Sequence, residues 1–231
     1  MKIAVLNFSG NVGKSTLARH LLAPRMRDPE LIAIETLNLD GGDGTAIRGR
    51  SLTQLRRALA LVDEAIVDVG ASNIEEFMAA LQAQDGAHLD FDAFLVPTTP
   101  SGKQQKDTIN TIDALAHLGV TPDRIRVVFN LLDRTASVTE AFAPLLAYHA
   151  ASHAFTVHPD AIVHESELFG LIRESGQSLA ELTSDTTDIR ARIRSARSPE
   201  EKVRLVDQMA AKGMAVTVTR ELDAVHQALF A

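Results

Sequence analysis

Short apolar runs that alternate with helical patterns constrain the fold of this chain more than any other feature. The strand candidates are residues 2–8, 31–37, 64–70, 91–100, 124–130 and, more weakly, 153–159. Continuous apolar runs of this length are typical of strands buried on both faces of a sheet, and the helices between them supply the cover. The pattern predicts an α/β fold with a doubly wound, mostly parallel sheet and helices on both faces.

Helical periodicity fills the intervals between these runs. The helix candidates are residues 13–23, 51–62, 73–84, 103–118 and 138–151. From residue 184 onward the apolar runs stop, and charged helical patterns follow, broken at Ser198-Pro199 and at Gly213. We therefore expect a main domain over residues 1–183 and a C-terminal helical extension of the same domain over residues 184–231.

Composition excludes several classes of protein. The 231 residues contain no cysteine, which excludes disulfides, thiolate zinc sites, iron–sulfur clusters and cysteine nucleophiles. The net charge of −7 leaves no overall basic field for nucleic acid. Because no apolar stretch reaches the length of a membrane helix, and the first residues carry only a short apolar run, we expect a cytoplasmic protein without signal peptide or membrane contact.

The segment SGNVGKST, residues 9–16, stands between the first strand and the first helix and has the context of a phosphate-binding loop. In such a loop, backbone N–H groups and the helix N-terminus face the phosphates, Lys14 adds a full positive charge, and the Ser15 hydroxyl can ligate Mg²⁺. The predicted nucleotide-binding residues here are Ser9, Gly10, Asn11, Val12, Gly13, Lys14, Ser15 and Thr16. The alternative is a chance Gly-Lys-Ser sequence in an ordinary strand–helix turn.

Asp68 ends the apolar run AIVD and is followed by Val69 and Gly70. A carboxylate at the tip of a central strand, facing the phosphate loop, suits an outer-shell Mg²⁺ ligand. Asp68 is therefore predicted to be a catalytic residue, together with Lys14, and to belong to the metal site, together with Ser15. Gly70 would let the backbone approach a γ-phosphate. The alternative is an acid that only ends a strand at the solvent edge.

The loop lacks the early glycine of the common Walker A pattern, whose first position falls on Phe8. In this it resembles the deviant Walker A loop of the ParA/MinD ATPases. Residues 1–25, with IETLNLDGGD after them, are most similar to the StbB family of plasmid-stability proteins. The resemblance covers most of residues 1 to about 190. It implies a P-loop NTPase fold of the SIMIBI class, ATP and Mg²⁺ as cofactors, and a homodimer that forms on nucleotide binding.

The resemblance also assigns roles within NLDGGDG, residues 38–44. Asn38 and Asp40 match the two acidic positions of the family's first switch. The match implies that Asp40 orients the attacking water and belongs to the catalytic and metal sites. An ordinary Asp/Gly turn is the alternative. Glu35 is a weaker candidate for contacting the ribose or a switch.

One position departs from the family pattern. The signature lysine, which in the family reaches the phosphates of the other subunit, aligns with Ser9. A positive charge that stabilises the phosphoryl transition state is therefore missing from its usual place. Lys103, Lys106, Arg48 and Arg50 are candidate replacements. Weak ATP hydrolysis is the expectation.

Asn130 ends the fifth strand candidate, where the family often places an asparagine that reads adenine. The sequence NLLD, residues 130–133, also resembles a guanine-reading Asn-Lys-x-Asp motif without its lysine, with Asp133 as the acceptor. ATP is preferred because the rest of the chain matches ATPases, and GTP is the alternative. Pro159 marks the loop that closes over the base in the family.

Three functions remain open. The first is a ParA/MinD-like switch in plasmid stability, partition or conjugation, with a DNA-binding partner protein and a place at the nucleoid. The second is a nucleotide-holding interaction module with little hydrolysis, and the third is an ATP-dependent small-molecule ligase on the same fold. The basic segment 188–204 is either a solvated helix face or a non-specific DNA contact. Its candidate DNA-contacting residues are Arg190, Arg192, Arg194 and Arg197.

Overall fold

The structure is a computed structural model that describes residues 1–34, the backbone of residues 45–47, and residues 52–231. Its contacts divide the chain into two compact units. The first unit contains Met1–Glu165 together with Val225–Ala231, and the second contains Ser166–Ala224.

Among the described residues, seven parallel strands form the sheet of the first unit. They are β1 (Lys2–Val5), β2 (Glu30–Ile34), β3 (Thr45–Ile47), β4 (Ala65–Val69), β5 (Ala93–Thr98), β6 (Ile125–Leu132) and β7 (Ile162–His164). Their order across the sheet is β3-β2-β4-β1-β5-β6-β7. β1 lies in the middle of the sheet, with β4, β2 and β3 on one side and β5, β6 and β7 on the other, as in doubly wound folds, so the predicted fold class is confirmed. β1 lies between β4 and β5, with Val5 beside Asp68 and Leu95.

Helices connect the strands of this unit. Their bounds are α1 (Lys14–Leu17), α2 (Leu52–Ala60), α3 (Ile74–Ala83), α4 (Gly102–His117), α5 (Val138–Ala141) and α6 (Ala143–Ser152). α1 continues as a π-helical turn over Ala18–Leu22 and a 3-10 turn over Ala23–Arg25. Shorter 3-10 turns lie at Ala87–Asp90 and Pro122–Arg124.

Apolar side chains at helical spacing pack the helices onto the sheet. α2 does so with Leu52, Leu55 and Leu59, which are three and four residues apart and buried. They belong to the same hydrophobic core as the strand residues Val67 and Phe94. Burying a side chain of this size contributes about 1.5–3 kcal/mol. The packed sheet therefore fixes the positions at which the loops after its strands begin.

The described part of the second unit is helical. It contains α7 (Leu168–Ser175), α8 (Leu179–Ser184), α9 (Ile189–Ser195) and most of α10 (Pro199–Phe230). A capping box begins α8: the Ser178 hydroxyl accepts the Glu181 N–H at 3.1 Å, and the Glu181 carboxylate accepts the Ser178 N–H at 2.7 Å. Asp188 caps α9 by accepting the Ala191 N–H at 2.9 Å. No helix among the described residues is long and apolar enough to cross a membrane.

Two expectations about local structure are wrong, and one strand was not predicted. Residues 153–159 form an isolated bridge at Thr156 rather than a strand, and the last strand is β7. Pro159 has no N–H to donate to a ladder, which disfavours a strand that runs through it. Gly213 does not interrupt α10, because one glycine costs only about 1 kcal/mol in a helix of good formers. β3 lies in a segment that we did not predict to be a strand.

Candidate nucleotide-binding site

The candidate site lies where the carboxyl ends of the central strands meet. The loop between β1 and α1 begins at this edge, and β4 and β5 flank β1. Open parallel sheets bind ligands outside the carboxyl ends of their strands, at the point where the strand order reverses. The phosphate loop predicted from sequence therefore occupies the binding edge of the fold.

Two residues of the loop have left-handed backbone conformations. Asn11 has a φ of 57°, which asparagine tolerates better than most residues, and Gly13 has a φ of 88°. A Cβ on Gly13 would overlap the side-chain nitrogen of Asn130. Glycine is therefore required at position 13 for two reasons, its φ and its close neighbour. A Cβ on Gly10 would meet nothing within 4 Å, so the protein's own atoms do not explain that glycine.

Lys14 is buried, and its ammonium group is held by the loop's own carbonyl groups. Its Nζ donates to the carbonyl oxygen of Ser9 at 2.7 Å and to that of Asn7 at 3.3 Å. Burial lowers the pKa of Lys14 below its ordinary value, and the negative charge of Asp68 opposes this shift. The loop thus contains a desolvated positive charge, which is the chemistry needed to bind a phosphate.

Asp68 lies on β4, and its Cα is paired with Val5 on one side and with Ala33 on the other. Its carboxylate is half-buried and its charge acts on Lys14. Gly70 follows this strand directly and donates its N–H to the Ile34 carbonyl at 2.9 Å. The structure therefore brings an acid of β4 and the glycine that follows this strand to the same edge as the loop.

Ser15 and Thr16 lie in the first turn of α1, Ser15 exposed and Thr16 half-buried. Among the described residues, no group of three or more His, Cys, Asp or Glu side chains could hold a metal ion. A Mg²⁺ ion held here by Ser15 and Asp68 would therefore take its remaining ligands from phosphate oxygens and water, as Mg²⁺ commonly does.

Comparison with known proteins identifies the fold. No protein-family model and no curated protein sequence matches the chain. Among solved structures, the cell division ATPase MinD of Pyrococcus furiosus is 13% identical with a TM-score of 0.53, and covers 90% of this chain and 98% of its own. The pNOB8 ParA structure is 14% identical with a TM-score of 0.52, and covers 99% of this chain and 96% of its own.

A third similar structure is a putative plasmid partition protein from Borrelia burgdorferi B31 bound to AMPPNP. It is 12% identical with a TM-score of 0.50, and covers 91% of this chain and 97% of its own. The chain has the ParA/MinD fold. At this level of identity the similarity establishes the architecture and leaves the ligand and the biological role to other arguments.

Within this ParA/MinD fold, sequence analysis missed a buried polar residue that shapes the loop. Asn7 is fully buried between β1 and the loop. Its Nδ2 donates to the Pro97 carbonyl and to the Thr108 hydroxyl, both at 2.8 Å, and its Oδ1 accepts the Ser9 N–H at 2.7 Å. A polar side chain at the end of an apolar run was the signal that could have revealed it, since buried amides need partners.

Ser9, which the sequence resemblance aligns with the signature lysine of the ParA/MinD family, points its side chain into the protein. It is buried, and its hydroxyl donates to the Asp107 carboxylate of α4 at 2.8 Å. Lys103 and Lys106 are exposed on the same helix. The other two candidate replacements, Arg48 and Arg50, lie outside the described residues.

The end of β6 contributes Asn130, which is buried and donates its side-chain amide to the Val12 carbonyl at 2.8 Å. A β-bulge separates Asn130 from Leu132, and the residue between them, Leu131, is exposed with a φ of 55°. The structure thus joins Asn130 to the phosphate loop across 118 positions of sequence. A strained, exposed leucine beside a candidate site is a feature often associated with function.

Asp133 and Pro159, the other predicted base-pocket residues, are both exposed. The Asp133 carboxylate accepts the Thr135 N–H at 2.7 Å and also accepts the Thr135 hydroxyl. These bonds from Thr135 lower the pKa of Asp133, so it is ionised at neutral pH.

The predicted first switch lies outside the described residues. This applies to Asp40, the predicted catalytic and metal-site acid, and also to Asn38 and Glu35. The predicted DNA-contacting arginines are described and exposed: Arg190, Arg192 and Arg194 lie on α9, and Arg197 follows it.

Proposed function

We propose that this chain is a Mg-ATP-binding switch protein of the ParA/MinD type. The observation that carries the proposal is the arrangement at β1 and β4. A phosphate loop with a buried lysine, Lys14, lies beside the strand acid Asp68 in the ParA/MinD fold. We assign nucleotide binding to residues 1–183 and treat residues 184–231 as a helical extension.

The residues of the site fit a nucleoside triphosphate with Mg²⁺. The N–H groups around Gly13 and the start of α1 can bind phosphate oxygens, and Lys14 can transfer its donors from loop carbonyls to a phosphate. Ser15 is exposed where it can ligate the metal, and Asp68 can hold a metal-bound water. When bound, Mg²⁺ would neutralise charge on the phosphates.

The residues at the end of β6 would select the base of the nucleotide. Asn130 is already engaged by the Val12 carbonyl through one amide hydrogen, which leaves its other donor and its oxygen for a base. We propose adenine as the base, in keeping with the AMPPNP bound to the similar Borrelia protein. Guanine is the alternative, with Asp133 as its acceptor.

In this proposal, nucleotide binding changes the surface that the protein presents to its partners. Nucleotide binding brings two copies together, and the assembly then engages a DNA-binding partner protein or DNA itself. The similarity of the sequence to StbB proteins points to plasmid stability, partition or conjugation, in the cytoplasm at the nucleoid. The exposed arginines of the segment 188–204 would supply a salt-dependent DNA contact.

A second candidate function is a nucleotide-holding module with little turnover. The hydrogen bond from Ser9 to Asp107 favours it. The position that carries a lysine in the family here carries a neutral hydroxyl directed at an acid, so it contributes no positive charge to a phosphoryl transition state.

Light scattering of the pure protein tests the proposal directly. The molar mass would be measured with Mg²⁺ and ATP, GTP, ADP, GDP or no nucleotide, with the Lys14→Ala variant as control. We expect a dimer with Mg²⁺ and ATP but with none of the other nucleotides, and we expect the Lys14→Ala variant to remain a monomer. A monomer under every condition would contradict the switch.

A phosphate-release assay separates the two candidate functions. The protein would be incubated with Mg-ATP in the presence and absence of plasmid DNA. Release above the level of the Lys14→Ala variant supports a switch that hydrolyses ATP. If the protein binds ATP tightly but releases phosphate only at the background level, the result supports the nucleotide-holding module.

A further inference from the structure

Three consecutive residues at the entry of the phosphate loop are each hydrogen-bonded to helix α4. The bonds run from the Phe8 N–H to the Thr111 hydroxyl at 3.1 Å, from the Ser9 hydroxyl to the Asp107 carboxylate at 2.8 Å, and from the Gln104 side-chain amide to the Gly10 carbonyl at 3.0 Å. Residues 104, 107 and 111 are three and four apart, so they form one stripe along α4. We refer to these three bonds as the α4 ladder.

Helix α4 is itself well anchored. Its residues Ile112 and Leu115 are fully buried in the core, and Gln105 donates to the carbonyls of Pro100 and Ala141 at 3.0 and 2.8 Å. A helix with these contacts is a rigid support. A loop bonded to it at three successive residues shares that rigidity.

The loop also has a second set of internal bonds, which come from Lys14. Its ammonium group holds the carbonyls of Ser9 and Asn7. Lys14 has three N–H donors, two of which are engaged by these carbonyls, so it must give up a carbonyl to bring more than one donor to a phosphate. The α4 ladder uses other atoms of residues 8–10, so it can persist when Lys14 moves.

From this we infer that α4 positions the phosphate loop for nucleotide binding, and that Asp107 is a positioning residue that acts through Ser9. The inference rests on the proposed function, because it assigns a role within the same site. It also gives Ser9 a role: position 9, where the family has an outward-reaching lysine, here ties the loop to its own subunit.

Asp107 has two opposing effects on a bound nucleotide, and they can be separated. Its carboxylate orders Ser9 through a hydrogen bond, whereas its negative charge repels phosphates. Asp107→Asn removes the charge and keeps an acceptor for the Ser9 hydroxyl. Asp107→Ala removes both, so a comparison of the two variants isolates the hydrogen bond at equal charge.

The affinity for Mg-ATP would be measured by calorimetry in both variants. We expect Asp107→Ala to bind about five- to tenfold more weakly than Asp107→Asn, the effect of one hydrogen bond. Ser9→Ala should bind more weakly than Ser9→Thr, which keeps the hydroxyl. The double variant Ser9→Ala/Asp107→Ala should be no weaker than Asp107→Ala, because both changes remove the same bond.

The matched control is Asp113, another aspartate of α4 that accepts one hydroxyl. Its partner is Tyr148, at 2.5 Å, rather than the loop. Asp113→Ala and Asp113→Asn should bind Mg-ATP equally. A difference there as large as that at position 107 would assign the effect to the helix in general and overturn the inference.

Two other results would overturn the inference and leave nucleotide binding by the wild type intact. One is equal affinity of Asp107→Ala and Asp107→Asn for Mg-ATP. The other is a loss of affinity in the double variant equal to the sum of the losses in the two single variants. If the wild type binds no nucleotide, the proposed function fails, and amide hydrogen exchange over residues 8–10 still tests the positioning. Faster exchange in Asp107→Ala than in Asp107→Asn supports it, and equal exchange overturns it. If Asp107→Ala does not fold, the Ser9 pair provides the same test.

Discussion

The phosphate loop and the arginine segment 188–204 both contain the charges that the proposed function needs, but they present them in opposite ways. Lys14 is buried and bonded to two carbonyls, and its neighbour Ser9 is bonded to an acid. Arg190 and Arg194, by contrast, are exposed on a helix of seven residues. The first arrangement sets the geometry of a small site, and the second leaves long side chains in solvent.

This difference determines what each region can recognise. A desolvated, pre-oriented charge distinguishes one phosphate geometry from another, since hydrogen bonds are strong and directional in a low dielectric. Exposed arginines interact with a polyanion mainly through counterion release, which carries little sequence information. On α9, Arg192 is two residues from each neighbouring arginine and so points to another side of the helix. The comparison predicts a selective site and a salt-sensitive surface in one chain.

The largest expected effect comes from Lys14→Met, which removes the buried charge and keeps a chain of similar length. Nucleotide affinity should fall by about 100-fold, the loss of bonds from a charged donor to phosphate. The free energy of unfolding without nucleotide should stay within about 1 kcal/mol, because the cost of burying the charge disappears with it. Calorimetry and urea unfolding measure the two quantities. Lys202→Met, at an exposed position of α10, is the control and should change neither.

Gly13→Ala tests the geometry of the loop. The new Cβ would overlap the Asn130 amide at a φ of 88°, so we expect a loss of about 1–3 kcal/mol in the free energy of unfolding. Gly10→Ala is the matched control, because its Cβ has open space, and it should cost less than about 1 kcal/mol. Urea denaturation of both variants gives the comparison. Equal losses would show that the close approach of Asn130 does not constrain the loop.

Replacing Arg190, Arg192, Arg194 and Arg197 together by glutamine tests the exposed surface. Plasmid DNA affinity would be measured between low and physiological salt. The slope of log affinity against log salt should become shallower by about 0.9 for each phosphate that the variant no longer neutralises. Nucleotide affinity and stability should not change, since these side chains are exposed. An unchanged slope would assign DNA binding to another surface, and Arg57→Gln on α2 serves as the control.

The smallest expected effect is a dependence of stability on pH. Burial lowers the pKa of His20 and of His158 below the ordinary 6.5, with nearby arginines adding to the shift. As the pH falls below 6.5, the unfolded chain takes up protons before the folded chain does, so the free energy of unfolding decreases. His158→Gln should reduce this acid sensitivity in thermal melts between pH 7.5 and 5.5.

The order of strand, loop and helix around Gly13-Lys14-Ser15 could be predicted because it depends on neighbours in sequence. Apolar runs indicate β1, β2, β4, β5 and β6. The last strand could not be placed correctly because β7 has only three residues, and its pairing with β6, rather than a local pattern, decides that it joins the sheet. Gly213 wrongly suggested a break because local propensity is a weak signal inside a long helix.

The sequence by itself determined the kind of fold, and it predicted the loop of residues 9–16 as a phosphate loop and Asp68 as the acid at the end of a strand. These follow from the periodicity of apolar residues and from motifs a few residues long. Only the tertiary structure decided that Ser9 binds Asp107, 98 positions away, and that Asn130 binds Val12, 118 positions away. The order of strands brings these residues together, and that order is set by the packing of the whole sheet, which no local pattern encodes.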